Sequence, residues 1–339
     1  MCQRLSHTRN EVRMSDGPLK GWNHLPQLPL QVSPVFQWPP DPRKIMRWFW
    51  DSWFLITEKI IILALTIASY YWFSPSLEAT RLLNFDWIAL VYIRNFLLAL
   101  AIGGSLHLWF YSFSAQGKNL KYDPRPLMIK GKQFTLGGQI RDNMFWTLGS
   151  GVFIWSLFEV VSWWALANGF MPYIKFTDTP FWFVSVFFLI PIWESFYFYI
   201  IHRALHIPVL YRYIHSVHHR NINVGPWSGM SMHPVEQFVF LGSVCIHLII
   251  GAHPLHIIFH LQYYFLTAIT THTGFQGLLI GDRNRLALGT FHHQMHHRYF
   301  ECNYGSLEIP WDKWFGSFHD GTVEANDKIQ ERRKNIMGK

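Results

Sequence analysis

Eight of the chain's nineteen histidines fall into three patterns of metal-ligand spacing. His202 and His206 stand four apart in HRALH, so on a helix they share one face. His215, His218 and His219 follow as HxxHH, and His293, His296 and His297 repeat that pattern downstream. Eight imidazoles are more than one ion can use, which points to a two-metal site. Imidazole suits iron, zinc, copper or nickel alike. A structural zinc site would close with four ligands, often cysteine, and would not need this many histidines. Two ions with several histidines each and open positions suggest chemistry on a small molecule such as dioxygen. Ligation requires neutral rings, so activity should fall in acid. Isolated histidines such as His107, His247, His256 and His319 read instead as satisfied core or surface residues.

Two further histidines extend the set. His233 lies in MHPVEQ, where Pro234 ends one local structure and Glu236 is placed to orient a ring; His272 lies in THTGFQG, ahead of a glycine turn. Glu194, Glu236, Glu301 and Asp312 are the nearby acids that could hold ligand rings through their second nitrogen. Trp311, Trp314 and Phe315 read as packing or interfacial residues.

The elements that must position these residues are membrane helices. Half of the residues are hydrophobic, 18% are aromatic and only 15% are charged, where about 25% charged is usual for soluble domains. Residues 49–73 and 87–113 are long enough to span, as are the apolar segments 144–168 and 180–201. A further apolar stretch, 234–271, is broken by four histidines and Pro254, and reads as a shallow helical hairpin that dips and returns. The expected fold is therefore an all-α integral membrane protein with about four transmembrane helices, that hairpin, and a cytosolic histidine-rich helical cap.

Charge orients it. The tail through Arg47 carries seven Lys/Arg and the loop 115–143 carries six, whereas the connections 74–86 and 169–179 carry one each. By the positive-inside rule the tail, the central loop and both HxxHH boxes lie on the cytosolic side. The net charge of +8 is spread over tails and loops with no nucleic-acid motif, so no nucleic-acid partner is expected. Cys2, Cys245 and Cys302 have no framework spacing, which excludes a disulfide-stapled fold. The first 48 residues are polar and proline-rich and carry no cleavable signal. The expected organisation is a cytosolic tail over 1–48, partly disordered; a transmembrane region over 49–179; a catalytic domain over 180–320; and a charged tail over 321–339.

HRALH at 202–206, HSVHH at 215–219, MHPVE at 232–236, HTGF at 272–275, HHQMHH at 292–297 with FECNYG ending at 305, and WDKWFGS at 311–317 together resemble the fatty acid hydroxylase superfamily. That group comprises membrane sterol desaturases, methylsterol oxidases and sphingoid or fatty-acyl hydroxylases. The resemblance covers about residues 180–320. It implies an integral membrane enzyme with two iron ions, zinc being a possible substitute in preparations. It further implies use of O₂ and electrons from an external carrier, cytochrome b5 or a ferredoxin with its reductase. By this resemblance the eight clustered histidines are iron ligands, completed by His233 and His272. The substrate would be a lipid (sterol, sphingoid or fatty-acyl) taken from the bilayer, with an alcohol or an alkene as product. The site would face the cytosol from the endoplasmic reticulum in a eukaryote or the inner membrane in a bacterium. Two other readings compete: a histidine-box acyl-lipid or acyl-CoA desaturase, and a membrane metal-binding or metal-transport protein. The HPVE, HTGF and WDKWFG elements argue against the first. Ligands gathered at one end argue against the second.

Overall fold

A computed structural model describes residues 21–54, 57–281 and 283–337. The chain is helical, in accord with the expected class. In order come α1 (Pro42–Trp53), α2 (Glu58–Trp72), α3 (Phe85–His107), α4 (Gln139–Trp146), α5 (Val152–Ala167) and α6 (Pro180–Leu205). Then follow the short α7 (Pro208–Leu210) and α8 (Ser216–His219), α9 (Pro234–Leu241), α10 (His247–Ile250) and α11 (Pro254–Thr271). The chain closes with α12 (Phe291–Tyr299), α13 (Trp311–Trp314) and α14 (Val323–Met337). One small antiparallel ribbon, β1 (Gly277–Ile280) with β2 (Arg283–Ala287), interrupts the helices.

Among the described residues, four stretches are long and apolar enough to cross a membrane: Pro42–Trp72, Phe85–Ser112, Gln139–Ala167 and Pro180–Leu205. Between 25% and 50% of each apolar window is buried inside the protein, so half or more of each is left unburied. Those outward faces carry residues such as Ile93, Leu97, Val161, Leu189, Ile192 and Ile200, which are exposed and suited to lipid.

The spans are tied together by the polar groups they bury. Arg94 of α3 pairs with Glu159 of α5, while Asn95 Nδ2 donates to the same carboxylate at 3.0 Å and Arg94 Nη1 donates to Ser74 Oγ at 2.9 Å. Both charged side chains are almost fully buried. Removing one partner leaves an uncompensated charge in a low-dielectric interior, which costs about 3–5 kcal/mol. Arg94→Met is therefore expected to lower the thermal unfolding temperature of the purified protein far more than the double change Arg94→Met/Glu159→Met, as read by a melting curve in detergent.

The segment 234–271 differs from the expected shallow hairpin. Its tip meets the connection between α5 and α6: Ala252 N donates to the Pro172 carbonyl at 2.9 Å, and Ile174 N donates to the Ala252 carbonyl at 2.8 Å. That connection begins α6, whose 26 residues extend about 39 Å before reaching His202. The hairpin thus goes to the far end of the bundle and returns as α11. Its polar residues do not meet lipid. Gln262 Nε2 donates to Ser69 Oγ (2.8 Å) and Gln262 Oε1 accepts from Thr66 Oγ1 (3.0 Å), joining α11 to α2. Satisfying these groups inside the protein is what lets so polar a helix lie at membrane depth. Gly229 permits the close approach of its loop, since a Cβ there would stand 1.9 Å from the Ala268 carbonyl oxygen.

Of the tail over 1–48, residues 1–20 lie outside the described residues, and 21–33 form an ordered strap across the second histidine helix. Leu30 N donates to the Asp320 carbonyl (2.7 Å) and Ser33 N to the Leu307 carbonyl (3.1 Å). The Trp22 ring stands edge-on to Phe291 at 4.8 Å, with the Arg298 guanidinium 4.2 Å above it.

Candidate metal centre

Two groups of imidazoles come together where α6, α8, α11 and α12 end. His202, His206, His215, His219 and His296 form one; His218, His272, His293 and His297 form the other. Within each group the ligand nitrogens lie within 4.8 Å of one another. The boxes sort themselves by helical phase. Residues four apart share a face, and the residue between them in the HH pair points about 100° away. The first HxxHH therefore gives His215 and His219 to one group and His218 to the other. The second gives His293 and His297 to one and His296 to the other. The groups are adjacent: the rings of His219 and His297, which belong to different groups, have centroids 4.8 Å apart.

The rings are held by their outer nitrogens. His202 Nδ1 donates to the Tyr304 carbonyl (2.6 Å), His296 Nδ1 to the Cys302 carbonyl (2.6 Å) and His272 Nδ1 to the Ala268 carbonyl (2.7 Å). His215 Nδ1 donates to the buried Glu236 carboxylate at 2.7 Å. A carbonyl can only accept, so in a neutral ring each of these bonds leaves the inner Nε2 as a bare lone pair. The Nε2 atoms of His202, His206 and His215 are buried and have no hydrogen-bond partner.

The donor set fits metal ions. A metal–imidazole bond of about 2.1 Å places neighbouring ligands about 3.0 Å apart in an octahedral arrangement. The three Nε2 atoms of His272, His293 and His297 are 3.0–3.1 Å apart, and those of His219 and His296 are 3.0 Å apart. Three mutual contacts cannot all be hydrogen bonds, because His272 has spent its N–H on Ala268 and only two protons remain. A cation satisfies all three lone pairs at once. No thiolate enters the set; Cys302 contributes its carbonyl.

Burial, reinforced in most rings by the neighbouring imidazoles, keeps the set neutral. Burial pushes His215 down to about 3 and, with the His202 ring beside it, His272 down to about 4. His218, His219, His293, His296 and His297 are held well below the ordinary imidazole value by burial and by one another. Two consequences follow from this shift. Between pH ~6.5 and ~4 the unfolded chain binds more protons than the native one, so acidification through that window destabilises the metal-free protein. Above it, metal uptake has few protons to displace. Loading zinc at pH 6.0 is expected to release about one proton or fewer, whereas nine imidazoles of ordinary pKa would release roughly six or seven. Calorimetry in buffers of different ionisation enthalpy measures that number.

Nine of the ten histidines singled out by sequence are brought together. His233 is not. It caps α9, its Nδ1 accepting from Val235 N at 3.2 Å, and stands outside both groups. The proline after it starts a helix there, and the cap takes the ring. Its neighbour Glu236 reaches the site instead, as the partner of His215.

The loop after α12 was legible only in part. Asp312 accepts from Tyr304 N (2.8 Å), Gly305 N (2.7 Å) and Ser317 Oγ (2.7 Å), fixing the turn whose carbonyls hold His202 and His296. Within that turn Asn303 adopts a left-handed backbone, φ 57°, and its side chain bonds to the His292 and His319 carbonyls. On the other side Asn143 and Gln139 of α4 donate to Asn221 Oδ1 (2.8 and 3.1 Å), which anchors the end of α8. Arg220 pairs with Asp142 at 3.2 Å on the same helix. Sequence reasoning passed over α4 because its residues are ordinary amides in a polar loop.

Residues 187–317 match the family model described as fatty acid hydroxylase. Over 135 residues the chain is 33% identical to the Delta(7)-sterol 5(6)-desaturase ERG3B of Gibberella zeae, a match covering 39% of this chain and 41% of that protein. It is 34% identical over 125 residues to the Delta(7)-sterol 5(6)-desaturase ERG3 of Saccharomyces cerevisiae, covering 35% of this chain and 32% of that one. It is 35% identical over 130 residues to the lathosterol oxidase of Rattus norvegicus, covering 38% and 43%. Less than half the length of each relative is thus spanned. No solved structure matches. Both HxxHH boxes, the HRALH motif and the Asp312 turn lie inside the matched stretch, which is the part of the chain that is similar to the fatty acid hydroxylase family.

Proposed function

We propose that this chain is a membrane-bound non-haem di-iron oxidoreductase that hydroxylates or desaturates a lipid with O₂ and electrons from an external carrier. The observation that carries this reading is the pair of adjacent all-imidazole groups at one end of an apolar helical bundle. The proposed ligands are His202, His206, His215, His219 and His296 for one ion, and His218, His272, His293 and His297 for the other. When bound, two iron ions supply redox chemistry with dioxygen that can break an unactivated C–H bond. The chain's own residues set the conditions for it. The Tyr304, Cys302 and Ala268 carbonyls and Glu236 fix ring orientation, which second-partner contacts of this kind typically do at 10–100-fold in metal affinity. Phe198, stacked on His202 at 4.8 Å and 6.2 Å from His293, presents an apolar wall to both groups and excludes water on the membrane side.

A lipid is the substrate class because the site sits at the head of helices that face the bilayer. The similar proteins are sterol desaturases and a lathosterol oxidase, which supports the sterol branch. The catalytic unit spans 180–320, and 49–179 packs around it. The positive-inside charge pattern supports a cytosolic site and a soluble donor there, cytochrome b5 or ferredoxin with its reductase. Lipid profiles of a host with and without the gene, grown aerobically with a competent donor, test the reading alongside iron content of the purified chain. An oxidised lipid and about two irons per chain are expected. Unchanged profiles would remove the oxidase assignment.

A further inference from the structure

Among the described residues, the buried polar atoms of the bundle without a hydrogen-bond partner include Glu194 Oε1 on α6 and Tyr264 OH on α11. Their residues are 4% and 6% exposed, at membrane depth, where an unsatisfied polar group is costly. They belong together: Glu194 Oε1 lies 3.4 Å from His260 Nε2, and His260 stands one turn before Tyr264 on the same face of α11. Their positions relative to the histidines are matched. Glu194 precedes His202 by eight residues on α6, and Tyr264 precedes His272 by eight residues on α11. Each spacing is two turns, or about 12 Å of rise. One aromatic layer lies between the two levels: Phe240 stacks on Tyr264 at 3.8 Å, Phe198 stands edge-on to Phe240 at 5.9 Å, and Phe198 meets His202.

The groups behind this pair have a fixed polarity. The Gly251 carbonyl accepts from His247 Nδ1 (3.1 Å), so a neutral His247 must accept at Nε2 from His260 Nδ1 (3.1 Å). A neutral His260 then presents a bare Nε2, which accepts from Ser243 Oγ (2.8 Å) and faces Glu194 Oε1 at 3.4 Å. Among the described residues the contact of Glu194 with a basic side chain is the one to His260, and no Lys or Arg pairs with it. The pair therefore offers hydrogen bonds without a compensating cation. Burying an ionic headgroup there would be expensive, whereas a hydroxyl can both donate and accept.

We infer that Glu194 and Tyr264 form the subsite for the uncharged hydroxyl end of a lipid, held about 12 Å from the metal-binding rings, with Phe198 and Phe240 lining the apolar reach between. This deepens the lipid-oxidase reading and rests on it for the identity of the occupant as substrate. Full-length, metal-free protein in nanodiscs is equilibrated with deuterated 1-hexadecanol, hexadecane or palmitate, and retained probe is counted against empty nanodiscs. The alcohol is expected to be retained over both others. Tyr264→Phe keeps the ring stack and removes one hydroxyl, and should cut the alcohol-to-alkane ratio about three- to tenfold. Glu194→Met, of similar volume, is the second variant and should do the same. No alcohol preference in the natural protein, or a preference that neither variant moves, overturns the subsite. Because the assay uses neither metal nor electron donor, the two readings fail separately. Oxidised lipid in the host without alcohol preference sinks the subsite alone. Alcohol preference without any oxidised lipid keeps the binding site and sinks its role in oxidation.

Discussion

Alanine at His296 is expected to take one ion out of the protein and with it all turnover. His296 is the only residue of α12 in its group, while the neighbouring His293 and His297 serve the other group. Changes one residue apart should therefore strip different ions. His296→Ala and His219→Ala remove ligands of the five-histidine group; His297→Ala and His293→Ala remove ligands of the four-histidine group. Loss of an outer partner typically costs 10–100-fold in affinity, so loss of a ligand should exceed about a hundredfold. Metal content per chain should fall from about two to about one or less, and product formation should be undetectable in all four variants. The double variant His218→Ala/His296→Ala breaks both groups. If it loads metal fully and turns over, the assignment is wrong.

Asp312→Ala should produce the next largest effect, although Asp312 touches none of the nine rings by hydrogen bond. Its carboxylate holds two backbone amides and the Ser317 hydroxyl. Bonds to a charged acceptor contribute about 1.5–3 kcal/mol each, and the three share one buried group. A loss of about 3–5 kcal/mol in the metal-free protein is expected, visible as a lowered melting temperature. Release of the turn also frees the Tyr304 and Cys302 carbonyls, so His202 and His296 lose orientation together. Metal affinity should drop about tenfold or more, measured by competition with a chelator. Ser317→Ala, which removes one of the three bonds, should show a much smaller change in both readouts. Equal effects of the two variants would mean that Asp312 does not hold the turn.

The two groupings of rings were legible in the sequence because helical phase is written into spacing. HxxHH places two rings on one face and one on another without help from tertiary structure, and two such boxes need only be brought together. His233 shows the limit of that logic. Its flanking Pro234 is a helix-start signal as much as a motif mark, and which role prevailed depended on whether Glu236 or the histidine faced inward. The orienting carbonyls of Tyr304, Cys302 and Ala268 left no side-chain trace, because any residue has a carbonyl. The depth of the 234–271 hairpin was hidden for a different reason. His247, His256, His260 and Gln262 look too polar for a bilayer, and only their partners in other helices, such as Ser69 and the Phe183 carbonyl, reveal that they never meet lipid. The small ribbon at 277–287 escaped notice because in GLLIGDRNRLA the apolar and charged residues run in blocks without strand-like alternation.

The strap over α12 bears on when the centre can exist. Gly21 and Arg298, joined through the Gly21 carbonyl at 3.0 Å, are 277 residues apart in sequence. Leu30 and Ser33 likewise bond to residues near the end of the chain. The strap is made long before α12, and it also bonds through Asn23 to the backbone carbonyls of Lys118, Lys121 and Tyr122. Contacts between such distant segments must wait for the closure of the whole intervening chain. The strap over the imidazole helix can therefore be fastened only once α12 and the turn after it have been made.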